Sequence, residues 1–269
     1  MTLRAVGISF GYGSGQEVLR GADIWVDDGQ LVFVLGANGS GKSTLLRLLV
    51  GISAPWEGSI LLDGTPSRGL GPWERARRVA MVPQVEPPGI GYTVSELVVM
   101  GRAAHLGFFS RPRQVDWQIA MDALAAVGMA GLASRRADEI SGGERQLALI
   151  ARGLAQGART LLLDEPDAHL DPWYQDRVLT ALTGLTAEGL SLMVTSHHPN
   201  NALLYSDVVS FLIDGRCTQA APPQEAMTTS RLRAAYGMAF DVVRGEQDAW
   251  ALLPHRGAES ERGNRGGAP

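Results

Sequence analysis

GANGSGKST, from Gly36 to Thr44, satisfies the spacing G-x-x-x-x-G-K-[ST] through Gly36, Gly41, Lys42 and Ser43. Glycines in that pattern let a backbone wrap closely around phosphate groups, with Asn38, Gly39, Ser40 and Thr44 completing the loop. Successive N–H groups and the positive end of the next helix face the anion; Lys42 would reach β and γ phosphates and Ser43 would ligate magnesium. A second segment, LLLDEP, ends an apolar run in two carboxylates, Asp164 and Glu165. Alone, such a pair is as readily a solvated loop. Beside a phosphate loop, Asp164 is expected to hold magnesium and Glu165 to orient and deprotonate an attacking water. A third segment, ISGGERQLALIARGLAQ (Ile140 to Gln156), sets Ser141, Gly142 and Gly143 ahead of Leu147, Ile150, Ala151 and Leu154, which share a helical face. That tripeptide is a helix start with free N–H groups, a second place for an anion. In isolation it reads better as an ordinary serine cap; the order of the three segments along the chain favours anion binding.

Such groups act together only if strand ends hold them. LVFVLG runs into the first loop and TLLRLLVGI leaves it with helical spacing, giving strand, loop, helix. VGISFGYG and EVLRGADIWV read as short strands with tight turns, GSILLDGT as a strand stopped by an Asp-Gly turn, and RVAMVPQ as a buried strand. RTLLLDEP and LSLMVTSHH, separated by a helix from about Pro172 to Glu188, imply parallel strands with crossovers. VVSFLIDGRCTQ closes in a hairpin at Asp214 and Gly215. Between about residues 86 and 156 the chain turns helical, in TVSELVVMG, QIAMDALAAVG and the segment from Ile140, with the proline-rich EPPGIG near its start. This is an inserted helical lobe. Residues 221–269 form a C-terminal extension whose end, GAESERGNRGGAP, is expected to be disordered.

Composition narrows the chemistry. At 269 residues and 45% hydrophobic content the chain can build a real interior. Its 24 Lys and Arg against 28 Asp and Glu give a net charge of −4, so phosphate recognition must be local and nucleic acid is not an expected partner. The one cysteine, Cys217, fits a reducing compartment, and no apolar window is long enough to cross a bilayer. Any membrane role is therefore expected to pass through a partner.

With these motifs in order, the chain resembles an ABC transporter nucleotide-binding subunit: GANGSGKST is similar to its Walker A, ISGGE to its signature and LLLDEP to its Walker B. The resemblance spans about residues 3–220. It implies an α/β fold with a P-loop (RecA-like), mostly parallel sheet, an N-terminal antiparallel β subdomain and the inserted helical subdomain, all within an ATPase domain at 1–220. It further implies ATP and Mg2+ as ligands and a head-to-tail homodimer in which one copy's signature closes on the γ-phosphate held by the other's Walker A. By the same resemblance Tyr12 stacks on adenine, Gln84 touches magnesium and the lytic water, His197 contacts the γ-phosphate, and Asp171 belongs to the dimer-contacting D-loop. Catalysis would rest on Glu165, His197, Gln84 and Lys42, with Ser43, Gln84 and Asp164 at the metal.

Three residues depart from the family pattern. Glu144 replaces the signature glutamine, with activity expected to survive; His198 replaces aspartate after the switch histidine; Ala168 replaces a common D-loop serine, which bears on communication between the two sites. YTVSELVVMGRAAHLGFFSRP resembles the importers of iron chelates, cobalamin, haem and oxyanions such as molybdate. That branch implies integral membrane permease partners, a periplasmic or surface substrate-binding protein acting indirectly, and a place on the cytoplasmic face of the membrane. Arg102, His105, Arg111 and Arg113 would then meet the permease, or equally form a solvated basic face. The competing expectation is a soluble ABC ATPase acting on DNA or ribosomes, disfavoured by the acidic charge and the lack of a second cassette.

Overall fold

A computed structural model describes residues 2–13, 15–84, 91–107, 110–244 and 250–255. The chain begins with β1 (Leu3–Tyr12) and β2 (Gln16–Val26), then β3 (Leu31–Leu35) and α1 (Lys42–Val50). Next come β4 (Glu57–Leu62), β5 (Thr65–Pro66), α2 (Pro72–Ala76) and β6 (Val79–Val82). The helical region holds α3 (Val94–Val99), α4 (Gln114–Ala126) and α5 (Gly142–Ala155). It is followed by β7 (Thr160–Asp164), α6 (Pro172–Ala187), β8 (Ser191–Ser196), α7 (Pro199–Tyr205), β9 (Val208–Ile213) and β10 (Arg216–Cys217). Last are α8 (Pro223–Ala226), α9 (Thr229–Tyr236), β11 (Phe240–Arg244) and β12 (Trp250–Pro254).

Two sheets do the positioning. A six-stranded sheet runs β10-β9-β3-β8-β7-β6, parallel except for β10 at its edge. A four-stranded antiparallel sheet runs β2-β1-β4-β5. Both faces of the parallel sheet are covered, which is why its strands are continuous apolar runs. Alternation along β3 divides the interior: Leu31, Phe33 and Leu35 face one core with the helical lobe, while Val32 and Val34 face another with α1 and the antiparallel sheet. All five are at most 1% exposed.

The first two strands are not short. β1 and β2 have 10 and 11 residues, and bulges at the register shifts let long strands curl over α1. The Asp-Gly turns do form hairpins: Asp63 and Asp214 sit at φ 49°, and Gly64 and Gly215 are also left-handed. In the helical region α3 stops at Val99 and a 3-10 segment, Met100–His105, continues it. α5 buries more than the one face anticipated, since Ala148 and Leu149 are buried along with Leu147, Ile150 and Ala151. Its last turn leaves the lobe for the sheet, where a Cβ on Gly153 would crowd Leu161 and Val82.

Residues beyond 220 pack onto the rest of the chain. Ala226, Met227, Leu232, Ala235, Phe240 and Leu252 join the lobe-side core. The Asn200 amide pairs with the backbone of Leu252, donating to its carbonyl at 3.0 Å and accepting its N–H at 2.8 Å. The far tail from residue 256 and the start of the helical region at 86 lie outside the described residues. Among the described residues no helix is long and apolar enough to cross a membrane.

Candidate functional site

The phosphate loop forms where β3 leaves the sheet. Gly41 caps α1 at φ 105°, and a Cβ there would meet the Val18 side chain at 2.8 Å, so no other residue fits without displacement. Lys42 opens the helix and folds back over the loop, 4% exposed, its Nζ donating to the carbonyls of Gly36 at 2.8 Å and Ala37 at 3.1 Å. Tyr12 closes one side from the end of β1. Its hydroxyl lies 3.1 Å from Thr44 Oγ1 and its ring stands edge-on to Phe10, leaving it half exposed with an open face.

Glu165 is the hub. Its Oε1 is 3.1 Å from Lys42 Nζ; its Oε2 accepts from Gln84 Nε2 at 3.2 Å and from His197 Nδ1 at 3.0 Å. With Nδ1 donating to the carboxylate, the other ring nitrogen of His197 is available to the cleft. Glu165 holds a left-handed φ of 45°, a strained conformation for a non-glycine residue and one that clusters at functional sites. Thr195 supports the turn: its Oγ1 accepts the Glu165 N–H at 3.1 Å and donates to Asp164 Oδ1 at 2.8 Å.

Tyr12, Asn38, Gly39, Gly41, Lys42, Ser43, Thr44, Gln84, Glu165 and His197 line one cleft of 520 Å³. Ser43 and Gln84 also line an adjoining recess with Asp164. Hydroxyl, amide and carboxylate oxygens on one recess suit a hard divalent cation that keeps water and phosphate ligands. Gly36 contributes its backbone beneath the loop, and Ser40 packs inward with a buried Oγ that has no hydrogen-bond partner.

His197 and His198 are separated by role. Their rings are 4.0 Å apart, yet only His197 lines the cleft and touches Glu165. His198 sits at the N-cap of α7; burial, then the charge of His197, hold its pKa below the ordinary histidine range, partly offset by Asp167 and Glu165.

Ser141, Gly142, Gly143 and Asp171 are absent from the lining of this cleft. Ser141 caps α5 as half of a capping box: its Oγ accepts the Glu144 N–H at 3.3 Å, and Glu144 Oε2 accepts the Ser141 N–H at 2.8 Å. The backbone bond from Ser141 lowers the Glu144 pKa, so the carboxylate at this departure from the family pattern closes the helix start. The N–H groups of Gly142 and Gly143 lie in the first turn, with no helical carbonyl behind them. A Cβ on Gly142 would meet nothing within 4 Å, whereas one on Gly143 would overlap the ring of Tyr174. Asp171 caps α6, accepting the Tyr174 N–H at 3.0 Å.

The basic run after α3 is divided. Arg102 is committed, donating to Asp116 Oδ1 at 3.1 Å and to the Ala155 carbonyl at 2.8 Å; His105 bonds the Gln156 carbonyl at 2.7 Å. Both residues hold the C-terminal end of α5, while Arg111 and Arg113 are exposed. Sequence reasoning missed Thr195, Asp167 and Tyr174. Asp167 is fully buried and its Oδ2 accepts from Ser196 Oγ at 3.0 Å and Asn201 Nδ2 at 2.7 Å, locking the turn after Glu165 to the histidine loop. The polar Thr-Ser pair ending an otherwise apolar strand was the available signal for the first two; Tyr174 left none.

A parallel-sheet P-loop, a carboxylate at the neighbouring strand end and a separate capped glycine helix start define a nucleotide-binding cassette of the P-loop class. Residues 19–168 match the ABC transporter family. The hemin import ATP-binding protein HmuV of Pseudomonas aeruginosa is 38% identical over 250 residues, covering 90% of this chain and 95% of that protein. The cobalamin import ATP-binding protein BtuD of Halobacterium salinarum is 37% identical over 237 residues, 88% of this chain and 59% of its own length. A solved metal-chelate type ABC transporter in an inward-facing conformation aligns with a TM-score of 0.82 and 29% identity, covering 94% of this chain and 97% of the solved one. The chain belongs to the ABC transporter ATP-binding family.

Proposed function

We infer that the protein is the ATP-hydrolysing subunit of an importer, driving uptake of a haem-, cobalamin- or metal-chelate-type cargo through membrane permease partners. The observation that carries this reading is the division of the site. Lys42, Gln84 and His197 converge on Glu165 in one cleft, while the second anion-binding helix start, Ser141 to Gly143, lies outside it. Two copies arranged head to tail would each complete the other's cleft, with Asp171 beside the contact. The relatives named for hemin and cobalamin import, and the metal-chelate transporter of like fold, support the cargo class.

In this reading ATP is the substrate. The open face of Tyr12 stacks on the adenine, and the backbone of residues 36–44 cradles the phosphates. A phosphate entering the loop attracts Lys42 and His197, the two cation-bearing or donating groups now bonded to Glu165, so the carboxylate is released to accept a proton from water. Ser43, Gln84 and Asp164 would hold Mg2+, which supplies charge neutralisation to the phosphates when bound. Closure of the pair on ATP and its opening after hydrolysis would move the attached membrane subunits. A periplasmic or surface binding protein would deliver the cargo to those subunits.

Affinity purification of the full chain from the membranes of its own cells tests the reading. A polytopic permease is expected to co-purify; ribosomes or DNA in its place would overturn it.

A further inference from the structure

Two helix starts of this chain are tied together by one tyrosine. Tyr174 is the third residue of α6; its N–H goes to the cap residue Asp171 at 3.0 Å, and its hydroxyl accepts from Ser141 Oγ, the cap of α5, at 3.0 Å. Its ring fills the space where a Cβ on Gly143 would stand. From behind, Trp173 packs edge-on against it at 4.7 Å, and Arg177 lies 5.4 Å over Trp173 while donating to the Gly128 carbonyl at 3.0 Å. The ring is therefore held from two sides and its hydroxyl is aimed at one oxygen.

Packing explains the ring but not the hydroxyl. The Ser141–Tyr174 bond is exposed, and two exposed hydroxyls can bond water about as well as each other. What the bond does is choose a direction. Ser141 Oγ already accepts from the Glu144 N–H, so its proton is the free variable, and Tyr174 determines where the serine points. A phenol both donates and accepts. If Ser141 gives its proton to a phosphate oxygen, Tyr174 can donate to the same Oγ without either side chain moving.

We propose that Tyr174 is a positioning residue for the signature: its hydroxyl orients Ser141 toward the nucleotide held by a second copy and links that serine, through Asp171, to the other partner-facing helix start. This rests on the shared-site reading above. Tyr174 touches no substrate itself.

Mixed dimers of full-length chains test it, each carrying Glu165→Gln on one copy so that only the cleft of the other copy turns over. Tyr174→Phe keeps the ring against Gly143 and removes the hydroxyl. Placed on the Glu165→Gln copy, whose signature serves the active cleft, it is expected to lower kcat ~5-fold at unchanged KM for ATP, the loss of one orienting hydrogen bond. Placed on the opposite copy, it should leave the rate of the Glu165→Gln/wild-type pair as it is. A folding defect would act in both arrangements, so equal losses, or a loss only in the second, overturn the proposal. Ser141→Ala in the same two arrangements separates the levels. If it costs nothing on the Glu165→Gln copy, the shared site has failed; if it costs activity there while Tyr174→Phe does not, only the role of Tyr174 has failed.

Discussion

The helix starts at Lys42 and at Gly142 are both glycine-flanked and both suited to an anion, yet they are built differently. At the first, the central cation is engaged within the chain: Lys42 is buried against Gly36, Ala37 and Glu165, and Val18 forbids a side chain at Gly41. At the second, the chain satisfies only the cap, and Gly142 faces open space. A glycine that its own fold does not require, beside one that it does, indicates a surface shaped for something outside the chain. In the proposed head-to-tail pair, the contrast separates a cleft whose groups this chain gathers from a helix start that a second copy would use.

The largest effect should come from the hub of the first region. Glu165→Gln is expected to retain ATP binding and lose about 100-fold or more in turnover, as loss of a general base requires; hydrolysis near the wild-type rate would remove Glu165 from that role. At the second region, Ser141→Arg should leave nucleotide binding intact and lower turnover on the order of 100-fold, comparable to removing an oxyanion donor. Unaltered steady-state hydrolysis would mean that this helix start serves no nucleotide.

Neighbouring glycines sharpen the comparison further. Gly143→Ala forces a methyl into the Tyr174 ring and should cost ~1–3 kcal/mol of folding stability, read in denaturant melts. Gly142→Ala meets no atom and should gain up to ~1 kcal/mol from helix propensity while lowering hydrolysis. Equal effects of the two changes on folding would erase the distinction drawn between them.

The smallest effect concerns the support of the first region. Burial and His197 depress the His198 pKa below 6.5, so the unfolded chain takes up that proton first as pH falls. Its contribution to stability is present above pH 6.5 and is lost below it. His198→Gln should flatten the fall in melting temperature on acidification; an unchanged slope would assign that fall to other groups.

Local spacing carried the first region. Five buried residues in a row leading into G-x-x-x-x-G-K-S, and a second apolar strand ending in Asp-Glu, specify strand, loop and strand end within short windows, and Glu165 then gathers its neighbours at the sheet edge. Contacts set by distant chain were not legible. Arg102 and His105 read as a basic surface because their partners, the carbonyls of Ala155 and Gln156, are about fifty residues away. The polar amide of Asn200 gave no sign that it would pair with Leu252 and seat the C-terminal hairpin. Tyr174 falls in a stretch legible only as helix, because only the fold brings the starts of α5 and α6 together.

Complementation between two inactive chains tests the divided site most directly. Lys42→Ala spoils the phosphate cleft and leaves the signature; Ser141→Arg does the reverse. Each alone should hydrolyse ATP slower than the wild type by on the order of 100-fold or more. Mixed, they form dimers in which the intact cleft of one copy meets the intact signature of the other, and hydrolysis should return. If the mixture stays as inactive as its parts while mixed dimers demonstrably form, the nucleotide is not shared between two copies and the account is wrong.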